Sequence, residues 1–105
     1  MFQVDNTKRR EEQLVKQMIN GSTFALEELF LLYYQPVYTT VYSILKSKLD
    51  AEAVVEETFI AIWQNKHRHN TAQSFAQFVL QTANKCLVVY TRDIVNKKMN
   101  EFKIA

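Results

Sequence analysis

The stretch Ser22-Thr-Phe-Ala-Leu-Glu-Glu-Leu-Phe-Leu-Leu-Tyr-Tyr-Gln-Pro-Val-Tyr-Thr-Thr-Val-Tyr-Ser-Ile-Leu45 decides the fold class. Its apolar residues recur as Leu26, Leu29/Phe30, Tyr33/Tyr34, Val37, Val41 and Leu45. Steps of three and four place these side chains on one continuous helix face. Ser22 has a side chain suited to capping the start of that helix. Gly21, just before it, takes up left-handed backbone at little cost and closes a preceding helix. Pro36 lies inside the stripe. It lacks an N–H and predicts a kink near Leu32. The stripe resumes in phase beyond it, so one kinked helix is expected rather than two.

The same period runs outward in both directions. A first helix, starting near Thr7, carries Leu14, Val15, Met18 and Ile19. Lys46 to Leu49 reads as a short turn. Asp50 is the expected N-cap of a third helix, with Glu52 in its first turn and Val55, Phe59 and Ile62/Trp63 as its stripe. Residues 64–74 are polar and aperiodic and read as a loop. The last helix runs from about Ser74 to Arg92 or beyond, with Phe75, Phe78/Val79, Ala83, Cys86, Tyr90 and Ile94 on one face. Residues 1–7 and 96–105 are expected to fray. The reading is all-α: a single domain over 1–105, its core about 12–95, built as a small orthogonal or antiparallel bundle of three to four helices.

Composition narrows the function. The chain has 105 residues, 48% of them hydrophobic and 23% charged, enough to bury a core without disulfides or metal. One Gly and one Pro argue against hairpin-rich folds and exclude the glycine-rich loops that cradle phosphates. A single Cys permits neither an intrachain disulfide nor a cysteine-based zinc site, and it fits a reducing cytoplasm. Met1 to Glu12 lacks the apolar segment of a signal peptide. The longest apolar stretch, Phe24 to Tyr34, is broken by Glu27 and Glu28, so no membrane span is expected.

Charge is unevenly distributed. Residues 1–61 hold six Lys/Arg against nine Asp/Glu, and residues 62–105 hold seven against two. The basic end attracts a polyanion, and the acidic third helix suits a basic protein. Glu52 and Glu56 are four apart and share a helix face; with Glu57 they form an acidic stripe and no catalytic constellation. His67 and His69 have no third ligand nearby and read as part of a solvated basic loop. Lys66 and Arg68 in that loop are suited to phosphate. Cys86 falls in the apolar stripe and reads as a small hydrophobe. Lys85 and Arg92 are seven apart, and Gln81 and Asn96 extend their polar, basic face. Val88 and Val89 beside it read as an apolar contact surface. Tyr34, Tyr38 and Tyr42 form one row, with hydroxyls expected at the bundle edge.

The ordered set of features from Glu12 to Arg92 resembles region 2 of bacterial sigma-70-family factors, most closely the extracytoplasmic-function (ECF) group. Leu14-Val-Lys-Gln-Met-Ile-Asn-Gly21, Phe24, Leu29-Phe-Leu-Leu-Tyr-Tyr34 and Pro36-Val-Tyr38 are similar to the start of that region. The strongest likeness is Asp50-Ala-Glu-Ala-Val-Val-Glu-Glu-Thr-Phe-Ile-Ala-Ile-Trp63, where Ala51, Glu52, Glu57, Phe59 and Trp63 match the family pattern. Phe75, Ala83, Tyr90 and Arg92 fit the closing helix. The chain departs from the pattern at Ala53, usually Asp, and at Glu56, usually Gln. It departs again at Phe78, usually Trp, Lys85, usually Asn, and Val89, usually Asp.

The resemblance implies a non-enzymatic domain of transcription initiation with no metal and no cofactor. The helix at 50–63 would dock on the clamp helices of the RNA polymerase β′ subunit through Glu52, Ala53, Glu56 and Glu57. Lys66, Arg68, Asn84, Lys85 and Arg92 would recognise and open the −10 promoter element, an unstacked base sitting in a loop pocket. An anti-sigma factor is a further implied partner. The 105 residues do not include a region 4, the part that reads the −35 element. The alternative is a stand-alone sigma-like regulator, a protein-interaction module with little DNA binding.

Overall fold

Serine starts three of the helices. In the computed structural model, which describes residues 3–69 and 73–104 (side chains over 8–69 and 73–102), helix α1 spans Gln3–Ile19, α2 Thr23–Leu45, α3 Lys48–Gln64 and α4 Phe75–Ile104. A short 3-10 turn, Lys66–Arg68, follows α3. Ser22 Oγ accepts the Ala25 N–H at 3.1 Å, and Ser47 Oγ accepts the Asp50 N–H at 3.3 Å. Ser74 and Gln77 bond reciprocally, side chain to backbone, at 3.1 and 3.4 Å. Each bond satisfies a donor that the first helical turn leaves unpaired.

Gly21 has φ +101°, in the left-handed region that a Cβ disfavours. Its N–H bonds the Met18 carbonyl at 2.9 Å and the Ser22 N–H bonds the Gln17 carbonyl at 2.9 Å, the paired closure of a helix C-terminus. The α2–α3 connection is tighter than the sequence implies. Only Lys46 and Ser47 lie between the helices, and Lys46 takes up left-handed backbone at φ 57°. Ser47, not Asp50, is therefore the N-cap of α3. That frees the Asp50 carboxylate, which accepts the Tyr90 hydroxyl at 2.6 Å and ties α3 to α4.

Helix α2 runs as one element through Pro36. Pro36 is exposed, so the Leu32 carbonyl it leaves without an N–H lies on the solvent side, where water replaces the lost bond. Two ends are longer than the pattern implies. The first helix begins at Gln3, ahead of Thr7, and α4 continues through Ile104 across the residues expected to fray. No Gly or Pro interrupts either segment, and propagation of an existing helix needs no new nucleus. Asn70, Thr71 and Ala72 of the expected loop, and Met1, Phe2 and Ala105, lie outside the described residues.

The core is the meeting of the stripes. Leu14 and Met18 of α1, Leu29, Val37 and Val41 of α2, Val54, Val55 and Ile62 of α3, and Val79 of α4 are almost wholly buried. Leu26, Phe30, Tyr33, Tyr34, Trp63, Phe78, Cys86 and Tyr90 pack around them. Each fully buried aliphatic side chain contributes about 1.5–3 kcal/mol, before the cost of ordering it is set against that gain. Among the described residues Thr58 is the buried polar one, and its hydroxyl donates to the Val54 carbonyl at 2.7 Å. Among the described residues there are four α-helices and no strand, the all-α bundle expected. None of these helices is long and apolar enough to cross a membrane.

Three tyrosines couple this packing to pH. Burial, and then the hydrogen bond to Glu11, push the Tyr33 hydroxyl well above its ordinary pKa. The bond to Asp50, and then burial, raise Tyr90. Burial, and then the nearby charge of Glu52, raise Tyr34. A raised pKa means that the fold favours the neutral phenol. That preference is fully present below the unfolded value of about 10 and is lost as pH climbs past it. The urea midpoint should therefore fall as pH climbs above about 10, and Tyr33→Phe should blunt the fall. A wild-type midpoint that holds steady well above that pH would refute the coupling.

Candidate functional site

Two surfaces carry the residues singled out by the sequence. On α3, the core takes Ala51, Val54, Val55, Thr58, Phe59 and Ile62. At 100° per residue, the opposite ridge is Leu49, Ala53, Glu56, Glu57, Ile60 and Gln64. Glu56 and Glu57 are exposed, Ala53 is half-buried on the ridge, and Glu52 is half-buried at its edge. The three glutamates do not all face one way. Glu52 and Glu56 raise the pKa of Tyr34 on α2, so their charge lies toward that helix. Glu57 raises Tyr90 and Cys86, so its charge lies toward α4.

Beside the ridge, α2 and α3 enclose an open apolar groove of about 440 Å³. Leu26, Phe30, Phe59, Ile60 and Trp63 line it, and Glu27 and Glu56 stand among its polar residues. Sequence reasoning assigned Phe59 and Trp63 to the core and passed over Leu49 and Ile60, which are 79% and 57% exposed. The signal was there for Ile60: it falls 100° off the line through Phe59, away from the stripe. From the groove an aromatic chain continues along α2. Phe30 meets Phe59 and Tyr34 edge-on at 5.1 and 5.2 Å, and Tyr34, Tyr38 and Tyr42 stack nearly parallel at 5.8 Å spacing.

The second surface is the solvent face of α4. Asn84, Lys85 and Arg92 are all exposed, within an arc of about 100°. Val88 lies among them, and Val89 borders the face. Arg68 is exposed in the turn before α4, whereas Lys66 is partly engaged within the chain. Its Nζ sits 4.1 Å from the Trp63 ring centroid and 3.5 Å from the Trp63 carbonyl oxygen. His69 is not the solvated loop residue expected. Its ring is half-buried against Phe75 and Phe78, at 5.9 and 5.2 Å between centroids, and Nε2 donates to the Gln73 carbonyl at 2.9 Å. These contacts seat the basic turn on the first turn of α4.

Cys86 is half-buried against the core, and burial is the main cause that raises its thiol pKa. A reactive thiol needs the opposite shift. Among the described residues no group of three or more His, Cys, Asp or Glu is placed to hold a metal ion.

A family model described as Sigma-70 region 2 matches residues 29–93, which take in α2 from Leu29, α3, the basic turn and α4 through Asp93. A search of the curated proteins and of the solved structures gives no match to the chain. Covering well over half of the chain and both surfaces, the match agrees with the bundle: the chain belongs to the sigma-70 region 2 family, a non-enzymatic domain of transcription initiation that engages RNA polymerase and promoter DNA.

Proposed function

We propose that the chain acts as an ECF-type promoter-recognition domain, docking on the β′ clamp helices through α3 and taking the −10 element on the basic turn and α4. The observation that carries this reading is the separation of charge between two exposed surfaces. Glu56 and Glu57 stand on the ridge of α3, and Lys85 and Arg92 stand on the solvent face of α4. A basic protein helix and a DNA strand can then be held at once without competing for one face. Ala53 lies on the polymerase surface and Glu52 edges it. Asn84 supplies a donor and an acceptor for a base edge, and Lys66 and Arg68 extend the phosphate track toward the start of α4.

Calorimetric titration with a purified β′ clamp-helix fragment tests the docking half. The wild type should bind, and Glu56→Lys with Glu57→Lys should weaken binding at least about hundredfold, since two attractions become repulsions. Absence of wild-type binding at high micromolar concentration would overturn it. A second reading has an observation of its own. Val88 and Val89 are each about half exposed on or beside the face assigned to DNA. An apolar pair there suits a protein-interaction module for a polymerase, sigma or anti-sigma partner, with little DNA binding.

A further inference from the structure

The apolar side of α4 changes along the helix. Phe75, Val79 and Ala83 face the core. Eighteen residues are five full turns of helix, so Asp93, Lys97 and Glu101 stand directly in line with them. Past Tyr90 the core-facing line is therefore charged, with half-buried Ile94 at its edge. The other apolar residues lie on the opposite side, where Val88, Val95, Met99 and Phe102 are 55%, 52%, 53% and 78% exposed. Exposed Arg92 and Lys98 flank this stripe, while both acids of the segment, Asp93 and Glu101, lie on the other side of the helix. Such a stripe is in the wrong phase for its own bundle.

The α2–α3 face has the complementary chemistry. Its groove is apolar on the floor and acidic at the rim, through Glu27 and Glu56. The aromatic chain from Phe30 to Tyr42 extends it by about 18 Å along α2, close to the roughly 21 Å from Val88 to Phe102. A helix laid in a groove is read through apolar anchors at steps of three, four and seven, which the α4 stripe supplies. Opposite charge on the flanks favours this occupant over an acidic one.

We propose that the exposed C-terminal half of α4 of one copy docks in the α2–α3 groove of a second copy of the chain. The contact covers Glu56 and Ile60, so a self-associated chain cannot present its α3 ridge to another protein. The proposal does not depend on the polymerase reading, because every group it uses belongs to the chain itself.

Sedimentation equilibrium of the full 105-residue chain at low salt tests it, with helicity checked by circular dichroism. Wild-type mass should rise with concentration. Val95→Glu with Met99→Glu breaks the helix side, and Ile60→Lys breaks the groove side; all three positions are at least half exposed, so folding is spared. Each variant should weaken association at least about tenfold. An equimolar mixture of the two retains one intact helix and one intact groove, and should recover a 1:1 complex. A wild type that stays monomeric at about 1 mM, a variant that associates as the wild type does, or a mixture without recovery would each overturn the proposal.

Discussion

Lys85→Glu with Arg92→Glu should abolish binding of a single-stranded −10 oligonucleotide, by at least about hundredfold in affinity at moderate salt. The argument starts from counterion release. A protein that neutralises phosphates on a single strand loses affinity with salt, with a slope of about −0.7 per contact on logarithmic axes. Lys66, Arg68, Lys85 and Arg92 offer up to four such contacts, which predicts a slope of about −3 and roughly fiftyfold weaker binding at 200 than at 50 mM salt. Reversing two of the four halves the attraction and adds two repulsions on the same face. Both side chains are exposed, so the change should leave the bundle intact. The control is Arg9→Glu with Lys16→Glu, an equal change in net charge at exposed positions of α1. If the control weakens binding as much, the attraction is a property of net charge and the α4 face is not the site. Salt-insensitive binding would also remove the basis for the assignment.

Lys66 is the weakest contributor to that slope on physical grounds. Its ammonium rests on the Trp63 ring, and leaving it for a phosphate gives up a cation–π contact of about 0.5–1 kcal/mol. Arg68, exposed in the same turn, has no such competitor among the interactions of the described residues. A slope nearer −2 than −3 would mean that Lys66 stays on Trp63 when DNA binds.

The bundle was legible because its stripes are long. Leu29, Val37 and Val41 hold phase over more than three turns, and that regularity survives Pro36 because the proline is exposed at the wet edge of the stripe. Boundaries were harder. Asp50 reads as the cap of α3, yet Ser47 holds that place, and the tertiary bond from Tyr90 gives the aspartate its role inside the helix. His69 misled for a related reason. A histidine between polar residues reads as solvated, yet its aromatic partners Phe75 and Phe78 lie on the far side of a turn. The charge split was visible as arithmetic, and the acidic and basic residues do occupy different surfaces. What one-dimensional reading could not supply was the groove. Phe59 is buried as its spacing implies, but half-buried Trp63 and exposed Ile60 beside it leave an apolar groove open against α2.

Ile60 and Ile62 turn that difference into numbers. They are two residues apart on one helix, and composition treats them alike. Ile62 has no exposed surface, while Ile60 is 57% exposed at the groove. Ile62→Ala removes three buried carbons and leaves a cavity between close-packed helices, a loss of about 2–5 kcal/mol. A domain of this size has about 5–15 kcal/mol in all, so the urea midpoint should fall by roughly 1–2 M. Ile60→Ala should leave the stability within about 0.5 kcal/mol of wild type, because water already reaches much of the side chain. Equal losses would place both residues in the core and close the groove. A neutral Ile60→Ala would instead confirm that the apolar surface at Ile60 contributes little to holding the bundle together. That surface is then free to stabilise contact with a partner, whether a polymerase helix or the α4 stripe of another copy, without weakening the fold that presents it.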